Sequence, residues 1–242
     1  MSTRVYPEIE AGGFTRIDSA VQFWVRARSI ADDLPAATIV DLGAGRGRLA
    51  THDIPLYRRL VDLRAPGRRV IGLDIDPAVK LNPLTDESHI ISDGHMPLED
   101  GSVDLIVSDW TLEHVDDPST FGAEVHRILR SGGWFCARTP NKWGLIGIGA
   151  RAIPNALHAR VLRILQPHRD EVDVFPTVYL LNTRRHLRKH FSKDDWEHIV
   201  IGWDPEAAYG GRFTAVQRAV RLISRFTPEG LRAVWLVYLR RR

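Results

Sequence analysis

Short apolar runs between residues 37 and 110 each end at an acidic side chain or a glycine-rich turn. The first run, 37–42, reaches Asp41 and passes into glycines at positions 43, 45 and 47. The runs 69–74, 89–92 and 102–109 repeat the pattern and lead to Asp74, Asp93 and Asp109. Runs of this length and composition are typical of buried parallel strands. The pattern therefore predicts an α/β protein built on a parallel sheet.

The glycines after the first predicted strand predict a tight turn that opens a helix. Glycine is needed where the backbone takes a positive φ or approaches a ligand closely. A strand, a glycine turn and a helix start together offer backbone N–H groups to a polar ligand. Arg48 stands where the dinucleotide-binding fingerprint has its third glycine, and no Gly-Lys-Ser/Thr sequence follows as in a P-loop. The spacing therefore disfavours both a dinucleotide and a nucleoside triphosphate.

Three successive predicted strands end in Asp41, Asp74 and Asp93. The carboxyl ends of parallel strands share one edge of the sheet, which is where open α/β sheets bind ligands. A carboxylate at the end of the second strand can accept hydrogen bonds from ribose hydroxyls. Asp76 before Pro77 has the sequence of a helix N-cap. The acidic edge therefore predicts a site for a ligand that contains ribose.

In chain order, these motifs resemble those of class I S-adenosylmethionine-dependent methyltransferases of the small-molecule type. The resemblance covers residues 36–145 and rests on the segments 41–47, 72–76, 93–97, 104–109, 112–118, 130–134 and 139–141. It implies a Rossmann-like, doubly wound, mostly parallel seven-stranded sheet with an antiparallel C-terminal strand and helical insertions that form a lid. We expect a single domain, with a helical segment at 1–36, the cofactor-binding core at 37–145, and the basic lid, insertions and last two strands at 146–242.

The same resemblance implies S-adenosylmethionine as the cofactor and assigns its binding residues. Those expected at its methionine end are Asp41, Gly43, Ala44, Gly45 and Gly47, with Ser108 and Asp109 contacting the ammonium group largely through backbone carbonyls. Those expected at its adenosine end are Asp74 on the ribose, Ile75 against the adenine, Asp93 on the adenine amino group and Gly94 with its N–H on the ring.

Simpler structural roles stand beside these assignments. Asp41 can satisfy the amides of the turn, and Asp93 with Gly94 can form an ordinary turn dipeptide. His114 follows the fourth predicted strand, near the expected acceptor entrance. Its imidazole can remove a proton from an oxygen or nitrogen acceptor at neutral pH, or it can cap a helix or bond Asp116. His114 is the one catalytic candidate, because methyl transfer needs no nucleophile from the protein.

Composition agrees with a cofactor enzyme of the cytoplasm. The chain has 242 residues, 44% of them hydrophobic, which can fill a sizeable core. The single cysteine, Cys136, lies in a predicted strand and reads as a buried apolar residue, so no disulfide can form within the chain. Neither a signal peptide nor a membrane-spanning run is predicted. The histidines form no metal-ligand grouping, and we expect no metal.

Charge is distributed unevenly along the chain. Residues 151–242 contain 17 Lys and Arg against 9 Asp and Glu. Arginines at helical spacing in this region are typical of a solvated helix face. They also suit an anionic acceptor or an anionic membrane surface, whereas nothing resembles a nucleic-acid-binding motif. We expect a small-molecule acceptor, with an anionic or lipid-like acceptor and peripheral membrane contact as the next interpretation.

Two other classes of function remain open from sequence. A nicotinamide-dependent oxidoreductase would use a related fold, but Arg48 and the Asp93-Gly94 pair argue against it. A non-catalytic module that binds S-adenosylmethionine would keep the same acidic and glycine positions. The sequence leaves the acceptor itself, and the choice among O-, N- and C-methylation, undetermined.

Overall fold

The computed structural model describes residues 5–144, 176–203 and 214–242. Predictions for residues 145–175 and 204–213, which include most of the expected lid, lie outside the described residues. In the described segments, no helix has both the length and the apolar character needed to cross a bilayer.

One mixed sheet organises the described chain. Its strands are β1 (Thr38–Leu42), β2 (Arg69–Asp74), β3 (Glu87–Ile90), β4 (Val103–Asp109), β5 (Leu129–Pro140), β6 (Trp196–Trp203) and β7 (Val234–Arg241). They are ordered β3-β2-β1-β4-β5-β7-β6. Strands β1 to β5 pair in parallel, while β7 runs antiparallel to both β5 and β6. The predicted doubly wound sheet with one antiparallel C-terminal strand is confirmed.

Five α-helices lie within the described residues, and three of them begin at positions capped by a side chain. They are α1 (Ser19–Asp32), α2 (Pro55–Val61), α3 (Pro118–Ile128), α4 (Arg184–His190) and α5 (Thr214–Phe226). The side chains of Asp18, Asp117 and Thr183 accept hydrogen bonds from backbone N–H groups in the first turns of α1, α3 and α4. These bonds satisfy donors that would have no partner within the helix.

Alternation along the strands builds a core on each face of the sheet. On one face, Ile39 and Leu105 are fully buried in a cluster with residues of α1 and α2. The next residues, Val40 and Ile106, point the other way and are buried with residues of α3 and α4. Successive side chains of a strand point to opposite faces, so a strand that is apolar throughout requires helices on both sides. This arrangement leaves the carboxyl edge of the sheet as the place for polar residues.

The structure differs from the predicted elements in two places near that edge. The glycine turn leads into a 3-10 helix, Arg48–Thr51, and not into an α-helix, and α2 begins only at Pro55. The predicted third strand at 89–92 is shifted, because pairing with β2 ends at Ile90. Ser92 instead forms an isolated antiparallel bridge with His95 around a turn at Asp93 and Gly94.

Candidate functional site

A cavity of about 350 Å³ opens at the carboxyl ends of β1 and β2. It falls within the size range of small-molecule sites, and it lies where strand order reverses in the sheet. The cavity is lined by Leu42, Gly43, Asp74, Ile75, Ile91, Asp93, Gly94, Met96, Thr111, His114, Val115, Asp116, Asp117, Thr120 and Phe121. Six of the residues predicted from sequence are brought together here: Gly43, Asp74, Ile75, Asp93, Gly94 and His114.

The three glycines of the turn all have positive φ, at +79° for Gly43, +49° for Gly45 and +69° for Gly47. Their surroundings differ. A Cβ on Gly43 would collide with the side chain of Thr111, and one on Gly47 would collide with that of Asn82. A Cβ on Gly45 would meet nothing within 4 Å. Gly43 and Gly47 are therefore required by packing, whereas Gly45 faces space that a ligand can approach. Ala44 is held between them by its carbonyl, which accepts from the Asn82 side chain at 3.0 Å.

Asp74 joins this turn to the end of β2. Its Oδ2 accepts from the Gly45 N–H at 2.8 Å, and its Oδ1 accepts from the Asp76 N–H at 2.9 Å. A carboxylate has about four acceptor positions, so these bonds fix its orientation and leave capacity for a ligand. Ile75 beside it is 64% exposed, which is unusual for an isoleucine at the end of a buried strand. Asp76 has the predicted capping role, since its side chain accepts from the Ala78 N–H.

Asp93 and Gly94 form a tight turn and also line the cavity. Their φ values are +51° and +75°, and the His95 N–H donates to the Ser92 carbonyl at 2.9 Å. Asparagine, aspartate and glycine are the residues that tolerate such a left-handed pair. The turn dipeptide considered from sequence for Asp93 and Gly94 is therefore present in the backbone. It does not displace the binding interpretation, because both residues face the cavity.

Asp41 lies behind the lining, at the end of β1. Burial, together with the nearby carboxylates of Asp109 and Asp74, raises its pKa to about 7. Loss of solvation and like charges both disfavour the ionised form. A cationic group bound nearby would favour the carboxylate.

Ser108 and Asp109 do not line the cavity. Ser108 is fully buried, and Asp109 forms a two-pronged ion pair with Arg138, at 2.6 and 2.9 Å. Asp109 also accepts from the indole N–H of Trp24 at 3.1 Å, and Arg138 donates to the Ser19 hydroxyl at 2.9 Å. This buried cluster attaches α1 to the end of β4. It was not predicted from sequence, because its members are up to 119 positions apart.

Thr111 is a lining residue that the sequence did not reveal. It follows Trp110, whose φ of +58° is rare for a bulky side chain. The Trp110 N–H donates to the Arg138 carbonyl at 2.9 Å, and the Arg138 guanidinium lies over the indole at 5.2 Å. The unusual φ turns the chain so that Thr111 meets Gly43. No local sequence signal marks such a conformation.

His114 lies on the cavity wall, at the end of the 3-10 helix Leu112–His114. Its Nδ1 is 2.8 Å from the carbonyl oxygen of Pro176. A carbonyl only accepts, so Nδ1 carries the proton and the neutral ring has its lone pair on Nε2. This contact is neither the helix cap nor the Asp116 bond considered from sequence. The contact orients the imidazole at the cavity wall.

Glu113, for which no chemical role is predicted from sequence, is buried beside this wall. Burial raises its pKa to about 7, while its hydrogen bond from the Thr139 hydroxyl, at 3.0 Å, acts in the opposite direction. Asn182 in turn donates to the Thr139 hydroxyl at 2.6 Å. The Glu113 carbonyl accepts from the N–H groups of Val178 and Tyr179. Glu113 thereby fastens the segment after Pro176 to the wall that carries His114.

Negative charge dominates the described lining. It includes the carboxylates of Asp74, Asp93, Asp116 and Asp117, and the described lining residues include neither lysine nor arginine. Hydrogen bonds from Thr120 and Ser119 lower the pKa of Asp117, which keeps it ionised at neutral pH. The cavity therefore favours a cationic ligand and disfavours a pyrophosphate. Within the described residues, no group of three or more metal-ligating side chains is arranged to hold a metal ion.

These features define a Rossmann-like α/β fold with an acidic cavity at the carboxyl edge of its sheet. Residues 40–137 match the methyltransferase domain family. A probable S-adenosylmethionine-dependent methyltransferase of Mycolicibacterium smegmatis is 41% identical over 80 residues, covering 31% of each chain. An uncharacterized methyltransferase of Mycobacteroides abscessus is 29% identical over 127 residues, covering 46% of this chain and 41% of that protein. The chain thus spans less than half the length of these curated relatives.

Solved structures extend the likeness to most of the fold. Geranyl diphosphate C-methyltransferase of Streptomyces coelicolor, in complex with Mg²⁺, geranyl diphosphate and S-adenosyl-L-homocysteine, superposes with a TM-score of 0.53 at 18% identity, over 90% of this chain and 78% of that one. A possible histamine N-methyltransferase of Thermotoga maritima gives 0.52 at 16% identity, over 92% and 91%. The chain thus shares its fold with these methyltransferases, and its residues 40–137 are similar to the methyltransferase domain family.

Proposed function

We propose that this chain transfers the methyl group of S-adenosylmethionine to a small organic acceptor. The observation that carries the proposal is the acidic cavity at the carboxyl edge of the sheet, joined through Asp74 to the open side of the glycine turn at Gly45. S-adenosylmethionine has a sulfonium and an ammonium group against one carboxylate, so its charge suits this lining. The pyrophosphate of a nicotinamide dinucleotide does not, which argues against the oxidoreductase alternative.

The proposed binding roles follow the chemistry of each residue. Asp74 would accept hydrogen bonds from the ribose hydroxyls, and the exposed face of Ile75 would pack on the adenine. Asp93 and the Gly94 N–H would contact the adenine edge. Asp41, Gly43, Ala44, Gly45 and Gly47 would surround the methionine end, with the backbone carbonyls of Ser108 and Asp109 on its ammonium group.

The chemistry requires positioning more than a reactive side chain. The bound cofactor supplies a methyl group that is already activated on a sulfonium. The chain has to hold the acceptor in line with that methyl and exclude water, which can lower a barrier by ~7–11 kcal/mol. His114, with its lone pair on Nε2, would remove the proton from an oxygen or nitrogen acceptor. Such general-base assistance is worth roughly 10²- to 10⁴-fold in rate.

The acceptor site would adjoin His114, where the described surface is partly apolar. The Val178 N–H donates to Glu113, the residue before His114, at 2.8 Å, and Val178 and Leu180 are each 38% exposed. Because the lining carries negative charge and these neighbours are apolar, the surroundings favour an uncharged or lipid-like acceptor over an anionic one. A lipid-like acceptor is the second candidate that this observation supports.

Calorimetric titration tests the cofactor assignment. We expect S-adenosylmethionine and its demethylated product to bind, and nicotinamide dinucleotides not to bind. Asp74→Asn keeps an acceptor for the Gly45 N–H but removes one of the two acceptors that a ribose needs. Its affinity should fall at least tenfold, or about 1.4 kcal/mol. Asp76→Asn is the matched control, since asparagine also caps helices, and should bind as the parent chain does.

Other outcomes are equally informative. Binding of a dinucleotide alone would overturn the proposal in favour of the oxidoreductase. Cofactor binding without turnover, in assays of methyl transfer to panels of small and lipid-like acceptors, would favour a non-catalytic module. If transfer is found, His114→Ala should reduce its rate strongly while cofactor affinity changes less than about twofold.

A further inference from the structure

Helix α5, Thr214–Phe226, is amphipathic, but a polar side chain is buried and apolar side chains are exposed, the reverse of an ordinary surface helix. Its buried residue is the polar Gln217, which is 1% exposed. One turn later, Arg221 donates to the Val5 carbonyl at 2.7 Å, and its guanidinium lies 5.8 Å from the ring centre of Tyr6. Gln217 and Arg221 therefore mark the side of α5 that faces the protein.

Most of the large apolar residues of α5 are exposed. At 3.6 residues per turn they occupy an arc about 160° wide, roughly opposite Gln217 and Arg221. We call this arc the outward face; it consists of Ala215, Val216, Ala219, Val220, Leu222, Ile223 and Phe226. Val216, Leu222, Ile223 and Phe226 on it are exposed, from 42% at Val216 to 75% at Phe226, while Val220 is half-buried. Surface helices normally bury such an arc, so one that is exposed requires a partner.

Charge beside the outward face indicates what that partner is. Arg218 and Arg225 lie at its border, and the sequence of α5 contains no acidic residue. Helices that lie in a bilayer surface combine an apolar face with Lys or Arg that reach the lipid phosphates. Residues 151–242 contain 17 basic and 9 acidic residues, and this net positive charge also favours an anionic partner. An apolar protein surface would not require this bordering positive charge.

We propose that α5 is a membrane-docking helix, which inserts its outward face into the interfacial region of an anionic bilayer. Arg218 and Arg225 would pair with lipid phosphates, while Gln217 and Arg221 keep the helix attached to the protein. The docking surface is separate from the cofactor cavity, so this proposal can fail while the proposed methyl transfer holds, and the reverse.

Vesicle co-sedimentation of the full chain tests the proposal. We expect binding to vesicles of phosphatidylcholine with phosphatidylglycerol, and much weaker binding to phosphatidylcholine alone. The double variant Ile223→Ser with Phe226→Ser should lower the partition coefficient roughly tenfold or more, because each side chain loses a full apolar burial. Arg218→Gln with Arg225→Gln should weaken binding to the anionic vesicles only. Leu81→Ser is the matched control, since Leu81 is 68% exposed at the end of the 3-10 helix Pro77–Leu81, and should leave binding unchanged.

A labelled variant reports insertion directly. Cys136 is the only cysteine and is buried, so Ile223→Cys can be labelled selectively with a polarity-sensitive dye. Anionic vesicles should shift its emission to the blue, and the same dye on Leu81→Cys should not respond. Equal vesicle binding by the parent chain and the serine double variant would overturn the proposal. A second result would also overturn it: the parent chain forms a dimer in light scattering, the double variant does not, and neither protein binds vesicles. The outward face would then bind a second copy of the chain.

Discussion

The carboxylates at the carboxyl edge of the sheet differ in their hydrogen bonds, ion pairs and burial. Asp74 is oriented by two backbone N–H groups and faces the cavity. Asp109 is neutralised by Arg138 and turned away from it. Asp41 is paired with no arginine in the described ion pairs and has a pKa of about 7. These environments lead to separate predictions for Asp41 and for the Asp109 pair.

The raised pKa of Asp41 predicts proton release when the cofactor binds. A cation near this carboxyl favours its ionised form, so affinity should rise as pH increases from about 6 to about 8. Calorimetry in two buffers of different ionisation enthalpy measures the released proton. Asp41→Asn should abolish both the release and the pH dependence. An affinity independent of pH in the parent chain would contradict this role.

The same carboxyl should make folding stability depend on pH. Its pKa is 3.8 in the unfolded chain and about 7 in the folded one, so the folded state holds the proton over this interval. The free energy of unfolding should therefore decrease as pH rises from about 4 to 7. Burial of Glu113 acts with the same sign, with its pKa near 7. Urea denaturation of Asp41→Asn should show a shallower pH profile than the parent chain, and an unchanged profile would be evidence against the shift.

The Asp109–Arg138 pair predicts a large loss of stability on truncation. Arg138→Gln leaves Asp109 charged and nearly buried without its partner, which typically costs about 3–5 kcal/mol. Arg64→Gln is the control, because its ion pair with Asp62 is exposed and pairs of that kind contribute about 0–1 kcal/mol. Urea denaturation at neutral pH compares the two variants. Similar small losses in both would show that the buried cluster does not hold α1 to the sheet.

At the scale of elements, strands were predictable and the turns between them only partly so. Apolar runs with β-branched residues located β1, β2 and β4, because burial on both faces leaves a continuous apolar signature. The 3-10 helix Arg48–Thr51 and the shifted end of β3 were missed. Both depend on local hydrogen bonds and on where pairing with a neighbour ends, and single-residue propensities do not record these.

The glycine turn gives an element-scale prediction that separates packing from binding. Gly43→Ala combines a positive φ with a collision against Thr111, and should lower the free energy of unfolding by roughly 2–4 kcal/mol. Gly45→Ala meets no neighbour within 4 Å, so it should cost only about 1 kcal/mol. Its added methyl should instead weaken cofactor binding at least tenfold. Urea denaturation and calorimetry measure both effects. Equal cofactor affinity in Gly45→Ala and the parent chain would contradict the proposed approach of the ligand to this turn.

At the scale of the whole molecule, sheet topology explains why residues far apart in sequence share one cavity. The order β3-β2-β1-β4 brings the ends of four strands together, so Gly43, Asp74, Asp93 and His114 become neighbours. Sequence reasoning anticipated these four because each follows a recognisable strand. It did not anticipate Thr111 or Phe121, because their positions depend on the φ of Trp110 and on how α3 packs.

The central claim is that the acidic cavity binds S-adenosylmethionine through Asp74 and the glycine turn. A crystal structure of the chain with S-adenosylhomocysteine tests it most directly. We predict that the ribose hydroxyls lie within about 2.6–3.2 Å of the Asp74 carboxylate, with the adenine between Ile75 and the Asp93-Gly94 turn. A ligand bound elsewhere, or one whose ribose does not contact Asp74, would contradict the account.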